Sequence, residues 1–197
     1  MYDIILRERT IYTIIICRKE DFGMYTISIY FDEKSNKTIQ QYINQIAKLT
    51  GNTYMVDEQV PPHITLSAFD TKKESEVIEL VDNMTRTWNK FPLQWVSVGA
   101  FMPYVVYVAP VLNIELYSAA TEVYSALMEL GDVSIRNCYK PFQWMPHTTL
   151  AKMLNEDEML TAFKLLHNQF GVIKGTACRI AVSKTNPHLD IAVFDIK

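Results

Sequence analysis

The chain has 197 residues, 49% of them hydrophobic and 21% charged, with 22 acidic against 19 basic residues and a net charge of −3. That length supports a real core, and the composition excludes extended disorder and collagen-like repeats. The acidic balance excludes a protein that coats long nucleic acid through a basic surface, so any nucleic-acid partner is expected to be gripped locally, at an end.

Residues 1–23 contain IILRERTIYTIIIC, two β-branched arms around a charged turn, and predict an added edge hairpin with no assigned chemistry. Residues 24–31, MYTISIYF, alternate and predict a strand. A helix is expected over 37–49, with Ile39, Ile43, Ile46 and Leu49 at helical spacing and Gly51 closing it. A strand at 62–69 carries His63, a helix over 73–89 has Val77, Leu80, Val81 and Met84 on one face, and residues 91–102 are mostly strand. The order then recurs. A strand at 104–111 precedes a helix over 114–130, a strand at 146–152 carries His147, and a helix over 157–170 turns Leu160, Phe163, Leu166 and Phe170 inward. Strands at 173–183 and 189–195 follow, joined by the turn KTNPHLD. The expected unit is bilobal over residues 24–197, with one lobe at about 24–102 and the other at about 103–197. Each lobe offers a histidine strand to a shared groove.

Cys17, Cys138 and Cys178 are far apart and form no CxxC pair, which argues against a disulfide framework and for a reducing, cytoplasmic setting. The apolar run at 11–17 is too short to span a bilayer, and no small-residue cleavage site follows it. No membrane association is expected.

The chemistry lies in a repeated pentad, Pro-His-x-Thr-Leu, in PPHITL at 61–66 and MPHTTL at 145–150. On a strand His63 and Thr65 point one way and Ile64 and Leu66 the other; His147 and Thr149 are set likewise against Thr148 and Leu150. The preceding proline has no N–H for a ladder, so each histidine belongs at a strand's start, on a rim. Two imidazoles and two hydroxyls across a groove suit phosphodiester cleavage. One histidine deprotonates the attacking hydroxyl or water and the other protonates the departing oxygen. The threonines donate to phosphate oxygens, and neither a metal nor a cofactor is needed.

With these motifs the chain resembles the 2H phosphoesterases, which include 2′-5′ RNA ligase-like proteins and cyclic phosphodiesterases. His63-Ile64-Thr65-Leu66 and His147-Thr148-Thr149-Leu150 match the family's two His-x-Thr/Ser motifs. The resemblance covers residues 24–197 and implies a bilobal α+β fold, with antiparallel sheets flanked by helices and the motifs lining a central cleft. It implies His63 and His147 as catalytic residues, Thr65 and Thr149 as phosphate ligands, and a small cyclic nucleotide or RNA terminus bearing a 2′,3′-cyclic phosphate as substrate. Family members often carry an arginine two residues after the second leucine, where this chain has Lys152; a lysine keeps the charge but loses bidentate recognition. Alternation puts Lys152 off the face of His147 unless the strand ends or bulges first.

RNCYKPFQWMPH at 136–147 adds Tyr139 and Trp144 as candidate substrate contacts, with Phe142 read as core. His167 and His188 read as structural, without partners for a triad. Two other classes stay open: an RNA-end or phosphate-binding module with little turnover, and a divalent-metal hydrolase. For the latter the nearest carboxylate, Asp70, is expected on the wrong face.

Overall fold

The computed structural model describes residues 24–185 and 187–197; the expected hairpin within 1–23 and Cys17 lie outside the described residues. Eight strands and five α-helices are described. β1 (Tyr25–Phe31) leads into α1 (Glu33–Thr50), which starts earlier than its apolar spacing alone predicts. The cause is its cap: the Asp32 carboxylate accepts from the Ser35 amide at 3.0 Å and also from the Thr176 amide at 2.6 Å. One side chain thus starts the helix and ties it to the sheet. Gly51, at φ 76°, ends α1 and donates its N–H to the Ala47 carbonyl at 2.9 Å. Ile39, Ile43 and Ile46 are buried, each contributing about 1.5–3 kcal/mol. Leu49 falls off the inner face and is 57% exposed.

A short helix α2 (Tyr54–Asp57) precedes β2 (Ile64–Thr71), followed by α3 (Glu74–Thr85), β3 (Phe91–Phe101), β4 (Val105–Pro110) and α4 (Ile114–Leu130). Then come β5 (Val133–Ile135), β6 (Thr148–Ala151), α5 (Glu156–Gln169), β7 (Ile173–Lys184) and β8 (Leu189–Asp195). Asn155 and Glu158 close a reciprocal capping box on α5. The inward stripe of α5 differs from expectation: Met159, Ala162, Leu165 and Leu166 are buried, whereas Leu160 is 62% exposed and Phe163 and Phe170 are only partly covered. Two apolar stripes compete on this helix, and packing against α1 selects the one that offers the small Ala162.

All strand pairs are antiparallel, in the order β5-β2-β1-β7-β3-β4-β6, with β8 also on β7. The chain is therefore α+β, an eight-stranded antiparallel sheet flanked by helices. β7 is the spine. Its first half pairs with β3 through Ile173 to Ala177, its second half pairs with β8 through Arg179 to Lys184, and β1 lies along its other edge. β3 pairs with β4 as well as β7, so hydrogen bonding does not divide at residue 102. Among the described residues no helix is long and apolar enough to cross a membrane.

Candidate active site

His63 and His147 each sit one residue before their strands, β2 and β6. Each ring is fixed in the same way. His63 Nδ1 lies 2.7 Å from the Pro61 carbonyl oxygen, and His147 Nδ1 lies 2.9 Å from that of Met145. A carbonyl oxygen only accepts, so each Nδ1 carries a proton and donates it, leaving each Nε2 with its lone pair.

The two strands share a second feature. Ser28 faces Thr65 and Ile27 faces Ser67, so Leu66 is an extra residue in β2. Tyr107 faces Thr149 and Val106 faces Ala151, so Leu150 is an extra residue in β6. Each strand therefore bulges at the leucine of its pentad. The bulge in β6 is what carries Lys152 back to the face of Thr149, as Leu150 and Ala151 are both buried. Lys152 Nζ lies over the Tyr54 ring at 4.6 Å, and its charge reaches His63.

Thr65 is buried, and its Oγ1 accepts from Ser28 Oγ at 3.4 Å, so its own hydroxyl proton is left to point elsewhere. Thr149 is half-buried. Thr148 lies on the opposite face, fully buried, accepting from Trp95 Nε1 at 3.0 Å.

The approach to His147 is stapled to the first motif's strand. The Arg136 amide donates to the Ala68 carbonyl at 2.9 Å, the Arg136 guanidinium pairs with Asp70 at 2.8 Å, and Trp144 Nε1 donates to the Thr65 carbonyl at 2.9 Å. Trp144 is thus a strut between the motifs with its N–H already committed, and Tyr139 is partly buried against the core. Phe142 is not core: it is 92% exposed at φ 63°. The turn that lets Trp144 reach β2 throws Phe142 outward.

Burial pushes His63 down to about 4; its bond to Pro61 opposes the fall, and charges on His188, His147 and Lys152 add to it. Burial also lowers His147, against its bond to Met145. Burial thus favours the neutral form of both rings.

His188 is a part of the site that sequence reasoning read as structural. Its ring stacks on His63 at 6.2 Å and 19°, and its Nε2 lies 3.2 Å from Asp190 Oδ1. Tyr30 and Ser183 hydroxyls donate to the same oxygen at 2.7 and 2.6 Å. Burial works to raise the Asp190 carboxyl, but hydrogen bonds from His188, Ser183 and Tyr30 outweigh it and bring it to about 2. The signal in the sequence was His188-Leu-Asp190, two residues of one strand face entering β8. Among the described residues, no three His, Cys, Asp or Glu side chains are grouped to hold a metal.

The sequence pattern of the 2′-5′ RNA ligase superfamily matches residues 36–188. No curated protein matches the sequence. Among solved structures, Escherichia coli LigT complexed with 3′-AMP superposes with a TM-score of 0.61 at 11% identity, covering 90% of this chain and 99% of LigT. TT0787 of Thermus thermophilus gives 0.60 at 14% identity over 88% and 97%, and a protein described as a phosphoesterase gives 0.56 at 12% identity over 89% and 99%. The paired histidine strands, the fold and the match over most of its length make this chain a member of the 2′-5′ RNA ligase superfamily, the 2H phosphoesterases.

Proposed function

We propose that the protein opens a 2′,3′-cyclic phosphate on an RNA end or nucleotide, or a related cyclic phosphodiester, by metal-independent two-histidine catalysis. The observation that carries this reading is the matched pair of rings. Each has Nδ1 tied to a backbone carbonyl, Nε2 left open and a threonine two residues on, and the charge of one reaches the other. LigT, which shares the fold, is known in complexes with 3′-AMP, phosphate and ATP, in keeping with a small nucleotide or phosphate ligand.

His63 is assigned as the base. Cations gather on its side, namely Lys152 and, when protonated, His188, and they oppose a proton on it. His63 Nε2 takes a proton from water as the oxygen attacks phosphorus. The bond from phosphorus to the 3′ oxygen breaks, and His147 Nε2–H gives its proton to that oxygen, leaving a 2′-phosphate and a 3′ hydroxyl. His147 acquires the proton as the anionic substrate enters, because negative charge beside an imidazole favours its charged form. Thr65 and Thr149 donate to the non-bridging oxygens, and Lys152 adds positive charge.

The test is hydrolysis of a nucleoside 2′,3′-cyclic phosphate by wild type, His63→Ala and His147→Ala, each with and without EDTA. Activity is expected in wild type alone and is expected to survive EDTA. Activity retained by either variant sinks the two-histidine reading, and loss with EDTA replaces it with metal-dependent hydrolysis. Binding without turnover across a panel of cyclic phosphates makes the protein a phosphate-end binder.

A further inference from the structure

His63 is the more crowded of the two histidines. It is faced from β1 by Tyr30, edge-on at 6.4 Å and 83°, and the Tyr30 ring in turn has the Arg179 guanidinium of β7 over it at 5.7 Å. From the turn between β7 and β8 comes His188, and from β8 comes Asp190, which holds His188. From the side of β6 come His147 and Lys152, the latter steadied by Tyr54 of α2. Among the described residues His188 is the neighbour whose ring stacks face to face on His63, and its Nε2 lies 3.2 Å from the Asp190 carboxylate that Tyr30 also bonds.

We propose that His188, held by Asp190, is a positioning residue for His63: it buttresses the ring and sets a carboxylate-bonded imidazole against its face, which opposes a proton on His63. The proposal rests on the reading of His63 as a base.

Three observations meet here. First, two imidazoles stacked 6.2 Å apart cannot both be charged without cost, so a proton on one opposes a proton on the other. Second, the carboxylate lies on His188 and not on His63: Asp190 Oδ1 is 3.2 Å from His188 Nε2, whereas the Nδ1 of His63 is spent on Pro61. Third, Asp190 is itself over-determined, accepting from Tyr30, Ser183 and His188 at one oxygen. Tyr30 also packs edge-on against His63, so it joins the carboxylate to the ring that needs support. The second histidine is furnished otherwise: among the described residues its ring neighbours are Phe101 at 4.8 Å and Tyr107 at 5.5 Å, neither of them an imidazole. A base that must stay neutral and an acid that must be able to charge call for different surroundings. The two copies have them.

NMR titration of the histidine rings in the full chain, without substrate, tests this directly. His188→Gln keeps a donor for Asp190 and removes the charge. For a unit charge 6.2 Å away, in surroundings between water and a protein rim, the His63 midpoint then rises by ~0.5 to ~2 pH units. His188→Lys keeps a charge and leaves that midpoint near the wild-type value. The acid limb of kcat/KM on a nucleoside 2′,3′-cyclic phosphate is expected to move up with the glutamine variant and return with the lysine variant, which a merely structural role would not produce. A folded His188→Gln chain whose His63 midpoint is unmoved overturns the proposal. A wild type inactive on every cyclic phosphate would sink the functional reading, while the titrations would still decide the coupling of His188 to His63.

Discussion

The first histidine strand and the second are built to one backbone plan and furnished differently. Both place the histidine just before the strand, tie Nδ1 to the carbonyl two residues back and bulge at the leucine. Around His63 the furniture is polar: Tyr30, His188, Asp190, Ser28 on Thr65, and the charge of Lys152. Around His147 it is aromatic, with the Phe101 ring edge-on at 4.8 Å and the Tyr107 ring tilted at 5.5 Å. Tyr107 can lie there because residue 99 is glycine; a Cβ at that position would stand 2.5 Å from the tyrosine ring. The lesson is that a repeated motif supplies two equivalent groups, while neighbours from other strands make them inequivalent. Acid and base are roles assigned by surroundings.

The comparison can be broken or sharpened by experiment. The largest effect is expected from His63→Ala and His147→Ala. Each should lower turnover by roughly 10³-fold or more, and the double variant should fall little further, because acid and base act as a unit. Steady-state rates with circular dichroism as the control for folding decide this; additive losses would argue against one concerted site. Next, Thr65→Val and Thr149→Val should each cost on the order of 10² in kcat as the proposed phosphate donors are lost. Thr65→Val should be the worse, since it also strands Ser28 in a buried position. Equal losses would erase that difference between the copies.

Gly99→Ala acts on the second copy alone. Displacing Tyr107 from His147 should cost about 10- to 100-fold in kcat, by misplacing the acid, while leaving the His63 titration unchanged. A shifted His63 midpoint would mean that the copies are not separately furnished. On stability, Trp95→Phe should destabilise by about 2 kcal/mol in urea titration, since it removes the donor to the buried Thr148 hydroxyl and shrinks a fully buried side chain. It should leave the rate nearly intact, because Thr148 faces away from the cleft.

A last effect is in pH. His63 is neutral when folded down to about 4 and takes a proton near 6.5 when unfolded, so protons favour the unfolded chain between those values. His147, lowered too, adds with the same sign. Stability is therefore full above pH 6.5 and falls as pH drops toward 4, by at most about 1.4 kcal/mol per pH unit from His63. Urea midpoints at two pH values check it, and His63→Gln should flatten the slope.

Much of this was legible in the chain. Repeated Pro-His-x-Thr-Leu with matching element order located both histidines and both threonines, because a strand's alternation is a local property. Lys152 was legible only as a condition: it could join the cleft if the strand bulged, and the bulge depends on pairing with β4. The mistaken face of α5 and the outward Phe142 have a common cause. Where several apolar residues compete for one core, partners elsewhere choose among them. His188 read as structural because its ring contacts are with Tyr30 and His63, each more than a hundred residues away in the chain.

By itself the sequence determined the element order, the polar composition of two strand faces and the chemistry that those faces can offer. Such things follow from side-chain identity and from backbone periodicity, which neighbouring residues settle among themselves. Only the tertiary structure decided that β7 would run as the spine between β1 on one edge and β3 and β8 on the other. From that follows the rest: Tyr30 from β1, Asp190 from β8 and His188 from the turn before it come together at His63, while His147 packs against Phe101 and Tyr107. Strand order across a sheet is set by long-range hydrogen bonding and core packing, and it is strand order that turned two like histidines into an unlike pair.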